Sequence, residues 1–132
     1  MSIADNPKFL RNVLMLDAAT CVATGLLMAL GADFLAGLTL LPPELLRPAG
    51  LSLLPIAAFI GFVATRARLP RAGVWLVILG NAAWVAASLW VLFGVAISPN
   101  ALGYVFVAVQ AVAVAMLAEL EFVGVRTLNA AP

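Results

Sequence analysis

The chain has 132 residues, 65% of them hydrophobic and 10% charged, with a net charge of +1 and a mean hydropathy of +1.16. A water-soluble domain averages about half apolar and about a quarter charged residues, so a soluble fold of this length has nowhere to hide the excess and lipid is its natural solvent. One cysteine and no histidine exclude an intramolecular disulfide, a CxxC redox pair, a histidine-ligated haem and an ordinary zinc site, and the near-neutral charge points to no nucleic-acid partner.

A helix needs about 20 predominantly apolar residues to cross the hydrocarbon core, and four segments qualify. The first runs from about Pro7 to Leu35. Asn6 is placed to cap it, and Pro7 suits the first helical position, where its missing N–H costs nothing. The segment is longer than a signal-peptide core and carries Asp17, so it reads as a retained helix. Leu41-Pro42-Pro43-Glu44 and Arg47-Pro48 then break the chain, with Leu45 and Leu46 expected in a short interfacial stretch.

The second and shortest span runs from about Pro48 to Thr65, and Pro55 is expected to kink it, freeing a carbonyl near Leu51. A tight charged turn from Arg66 to Arg71 leads into the third span, about Pro70 to Ile97. Ser98-Pro99-Asn100 leads into the fourth, about Asn100 to Val125. Backbone in lipid must satisfy its own hydrogen bonds, so these breaks belong at the membrane surfaces. The expected fold is all-α, a single transmembrane four-helix domain over residues 1–132.

With four spans, Lys8, Arg11, Arg66, Arg68, Arg71 and Arg126 fall on one side and Arg47 alone on the other. The positive-inside rule then places both termini in the cytoplasm. Sliding the chain by 64 residues aligns Asp17-Ala18-Ala19 with Asn81-Ala82-Ala83, and Ala23-Thr24 with Ala87-Ser88. Pro48-Ala49-Gly50 and Pro99-Asn100-Ala101 stand at similar points before the second and fourth spans. The chain therefore reads as two helical hairpins in tandem, as in some transporters, although alanine-rich helices also align by chance.

Asp17 is the most informative residue. A carboxyl two turns into a membrane helix must face the bundle interior. Thr20, Cys21 and Thr24 follow at i+3, i+4 and i+7 on the same face. Asn81 and Ser88 occupy the repeat-related positions of the third span; Gln110 lies near mid-depth of the fourth, with Glu121 three turns later on the same face. One reading is a polar pocket in the cytoplasmic half, built from Asp17, Asn81 and Gln110 with Glu121 at its mouth, able to relay a proton or bind a small cation or polar solute. The other is interhelical hydrogen bonding by Asn81 and Gln110, with Asp17 protonated or paired with Arg11. Glu119 projects to the opposite side, and both glutamates are expected to reach headgroup water.

Cys21 reads as a small packing residue, since no second cysteine or histidine is present to activate it. Trp75 and Trp90 read as interfacial anchors and Trp84 as packing on the small residues of the first helix. Ala19-Ala23, Cys21-Gly25, Ala82-Ala86 and Ala111-Ala115 are small-xxx-small pairs that predict close helix contacts within the bundle or between subunits.

On Leu16-Asp17-Ala18-Ala19, Leu53-Leu54-Pro55, Val74-Trp75, Asn81 and Trp84 through Ala87-Ser88-Leu89, and Gln110 with Ala118-Glu119-Leu120-Glu121, the chain resembles small bacterial four-span membrane proteins that carry no assigned activity. The resemblance implies a bacterial inner (plasma) membrane location. The chain is also similar to small multidrug-resistance transporters in its four spans and in Asp17, which stands where their first-span acid is expected. It departs from them in having aspartate for glutamate, few aromatic residues nearby and a charge bias that forbids antiparallel dimers.

The first functional expectation is a non-catalytic accessory or self-associating membrane component. The alternative is a small proton- or cation-coupled transporter or channel using Asp17 within an oligomer. An enzyme is not expected, nor any cofactor or metal. The expected partners are the lipid bilayer and a second copy or another membrane protein, and no nucleic acid.

Overall fold

The computed structural model describes residues 7–130. Five helices lie among them: α1 (Pro7–Leu30), α2 (Ala32–Thr39), α3 (Pro43–Ala64), α4 (Arg71–Phe93) and α5 (Ala101–Ala130). The fold is all-α, with no strand among the described residues. By length and composition α1, α3, α4 and α5 can each cross a membrane, and α2 is too short to do so. The expected cap Asn6 lies outside the described residues.

The helix boundaries correct the first half of the sequence reading. The stretch expected as one span to Leu35 is two helices, because α1 stops at Leu30 and Gly31 redirects the chain into α2. α2 closes on Leu40, a left-handed residue (φ 59°) whose N–H bonds to the Ala36 carbonyl. The short surface element is therefore α2, and Leu45 and Leu46 belong to the first turns of α3. That helix starts at Pro43 rather than Pro48, since a proline at the first helical position loses no hydrogen bond. Pro48 and Pro55 lie inside it, where each leaves the carbonyl four residues earlier without its helical donor. α4 ends at Phe93, short of Ile97, and α5 continues past Val125.

Asn100 explains why α5 starts where it does. Its Oδ1 accepts from the Gly103 N–H at 2.9 Å, a standard helix cap, while its Nδ2 donates to the Leu38 carbonyl and its backbone N–H to that of Thr39. One side chain thus caps α5 and ties it to the end of α2. Gly103 sits so close to the Thr39 carbonyl that a β-carbon there would collide with it.

The packing is that of two hairpins. α1 lies chiefly against α3 and α4 against α5, and a smaller α1–α5 contact joins the pairs. Gly25 and Gly50 let α1 and α3 cross closely: a β-carbon on Gly50 would lie 2.6 Å from the Ala29 nitrogen and 2.7 Å from Met28 Cβ. α3 and α4 touch only sparsely although the 65–70 turn joins them.

The distribution of side chains is inverted relative to a soluble protein. Leu16, Leu76, Leu79, Val109, Val112 and Met116 are exposed, whereas Asp17, Asn81, Ser88 and Glu121 are buried. Such a surface is stable against hydrocarbon and unstable in water. The basic residues gather at one end. Arg11 donates to the carbonyls of Ala64, Arg66 (2.8 Å) and Ala67 (3.4 Å), which puts the start of α1 beside the end of α3, and Leu10 packs on Gly124 of α5. Arg47 is at the other end, in an exposed pair with Asp33 at 3.2 Å.

Candidate functional site

Three helices deliver one polar side chain each to a common point. Asp17 of α1, Asn81 of α4 and Glu121 of α5 are 1%, 7% and 0% exposed. The Asn81 Nδ2 donates to Asp17 Oδ2 and to Glu121 Oε1, both at 2.8 Å. The two accepting oxygens are thus no further apart than twice that distance. The Cys21 thiol donates weakly to Asp17 Oδ1 at 3.6 Å. Glu121 Oε2 is buried and has no donor among the described residues.

Two buried carboxylates that share one amide repel each other, and Glu121 Oε2 has no donor among the described residues, so a proton taken up here would relieve both. Asn81 serves both acids at once because its amide has two N–H bonds and both are used.

Two more of the sequence-predicted residues, Ser88 and Gln110, fall into a second network. Trp84 Nε1 donates to Gln110 Oε1 at 2.6 Å, Gln110 Nε2 donates to Ser88 Oγ and to the Val107 carbonyl at 2.9 Å each, and Ser88 Oγ returns to the Trp84 carbonyl at 2.9 Å. This closed set joins α4 to α5 and is the interhelical bonding expected of a membrane glutamine. Gln110 and Ser88 are therefore not bonded to Asp17, and the single pocket read from the sequence divides in two. Trp84 reaches across to α5 instead of merely packing on α1.

Two further expectations are corrected. Glu121 was expected at a wet mouth beside Glu119; it is sealed inside, because the face it shares with Gln110 is the face α5 turns toward α4, while Glu119 is exposed. Arg11 does not pair with Asp17, because its guanidinium is spent on the carbonyls that end α3. Thr20 donates to the backbone carbonyl of Asp17 at 2.9 Å, which occupies its hydroxyl locally.

Buried Asp17 and Asn81 form the inner wall of a largely apolar cleft of about 430 Å³, which exposed Thr20 and half-buried Thr24 also line. Its outer walls are Ile56 and Phe59 of α3 and Leu76 and Gly80 of α4, all exposed, so the cleft opens between these two sparsely touching helices. A smaller cavity of about 120 Å³ lies beyond, lined by Leu41, Leu45, Val91 and Phe106 among others. Trp84 and Gln110 line both cavities and so form the partition between them.

No protein-family model, curated protein or solved structure matches this chain. Its own geometry carries the functional reading.

Proposed function

We propose that this chain is a small proton-coupled transporter of the bacterial plasma membrane, with Asp17 and Glu121 as the proton-binding pair and both termini in the cytoplasm. The observation that carries the reading is one amide, Asn81 Nδ2, bridging two buried carboxyls of which one oxygen has no donor. Intramembrane acids are costly and mark proton or ion pathways when they face a bundle interior. Two cavities separated by the Trp84–Gln110 partition support the same reading, since a carrier needs a site approached from either side of a closed barrier. The clustering of Arg11, Arg66, Arg68 and Arg71 at one end supports the orientation. Four helices enclose too little space for a wide pore, so transport requires an oligomer.

The test is proton flux in proteoliposomes, with solute gradients of small cations and polar solutes, for the natural chain, Asp17→Asn and Glu121→Gln. Coupled flux lost in both variants supports the reading. Flux equal in all three proteins across the panel removes the pair from the mechanism.

One observation favours the alternative of a non-catalytic, self-associating component. Ala19, Ala23, Ala82 and Ala86 are exposed, so two of the small-residue pairs are available to another helix. Extraction from native membranes in mild detergent decides it: a lone monomer, repeatedly recovered, counts against association.

A further inference from the structure

We propose that the α3–α4 cleft holds one acyl chain of an anionic phospholipid, whose phosphate is bound at the Arg68–Arg71 turn. This goes beyond the proton-transport reading and stands independently of it.

The first argument is charge. Arg68 and Arg71 are exposed and have no hydrogen-bond or ion-pair partner among the described residues, and they sit on the turn that joins the two walls of the cleft. Arg66 is held against Phe62, its guanidinium 4.2 Å from the ring centroid, so it adds positive potential from the same end. Among the described carboxylates, Asp33 and Glu44 are at the far end of the bundle, Asp17 and Glu121 are sealed between the helices, and exposed Glu119 is carried by α5, outside the lining of the cleft. Cationic clusters immediately outside a membrane helix attract anionic headgroups, and an arginine fork matches phosphate geometry.

The second argument is depth. At 1.5 Å of rise per residue, Leu76 lies roughly 8 Å below Arg71 along α4 and Trp84 roughly 20 Å below it. Along α3, Phe59 and Leu53 lie roughly 10 and 20 Å below Arg66. Both walls therefore span the hydrocarbon of one leaflet, which is about 15 Å deep. A phosphate on the turn brings its acyl chain into the cleft without strain.

The third argument is the lining. Ile56, Phe59, Leu76 and Val77 present apolar surface to the cleft, and its volume of about 430 Å³ suits a single chain rather than a transmembrane helix. Gly80 contributes room of its own: a β-carbon built there meets nothing within 4 Å. With the lipid seated, its chain closes the lateral side of the Asp17 site.

The experiment is native mass spectrometry of the full chain released from bilayers of equimolar phosphatidylglycerol and phosphatidylcholine. One retained phosphatidylglycerol per chain is expected. Each of Arg68→Gln and Arg71→Gln is expected to lower its retention about fivefold, and the pair roughly thirtyfold. Gly80→Leu puts a side chain into the cleft from a position where a β-carbon meets nothing within 4 Å, and it is expected to abolish retention while circular dichroism shows the helices kept. Equal retention of both lipids overturns the proposal in favour of a neutral-chain groove. Retention that survives Gly80→Leu overturns it in favour of headgroup contact alone. A lipid-free dimer overturns it in favour of a second copy covering the cleft.

Discussion

The side-chain amide of Asn81 donates a 2.8 Å hydrogen bond to Asp17, the residue 64 positions before it. The same amide also donates to Glu121 at 2.8 Å, so one group of α4 joins carboxyls carried by α1 and α5.

Asn81→Leu removes the bridging donor and leaves both carboxyls unsolvated. A loss of about 1–3 kcal/mol is expected on unfolding by a denaturing detergent. In a double-mutant cycle with Glu121→Gln the two losses should not add, because both act on one network.

The Trp84–Gln110–Ser88 network is a joint between α4 and α5 and is bonded to neither carboxyl. Gln110→Leu is expected to cost about 1 kcal/mol of stability and to shift the tryptophan emission by freeing Trp84 Nε1. Unchanged emission and stability would show that the joint carries no load.

Close passage of α1 over α3 depends on Gly50. Gly50→Leu forces its β-carbon into the Ala29 nitrogen and Met28, and a destabilisation of about 3 kcal/mol or more is expected, visible as loss of the folded fraction after mild extraction. Gly61→Leu is the control, since a β-carbon there meets nothing within 4 Å.

Arg11 acts as a C-terminal cap in trans. It satisfies the Ala64 carbonyl that α3 leaves open, and those of Arg66 and Ala67 in the turn that follows, at the helix end where a cation is favoured. Arg11→Gln is expected to cost about 1 kcal/mol and to raise amide exchange over residues 60–67. Arg126→Gln, at the same end but over the Phe122 ring, should leave that exchange unchanged.

The helix inventory was legible because hydrocarbon imposes length and hydropathy locally. Prolines and charged turns punctuate the chain where the bilayer ends, so Pro70 and Asn100 marked the starts of α4 and α5 correctly. The α1–α2 break was missed because Gly31 and Asp33 stand in an apolar run with no proline. Only the packing of α2 on α3 and α5 shows that it is a separate element. Gln110 and Glu121 were rightly placed on one face of one helix. What that face meets depends on how two hairpins dock, and helical periodicity carries no information on that.

The sequence by itself determined an apolar chain with four spans, its cationic residues other than Arg47 at one end and a carboxyl that has to point inward, because these follow from transfer free energies of residues taken one at a time. Tertiary structure alone decided that Asp17 shares a donor with Glu121 rather than pairing with Arg11, and that Gln110 bonds to Trp84 and Ser88. Those choices rest on hydrogen bonds between residues 22 to 64 positions apart, whose directions are set only when the helices pack.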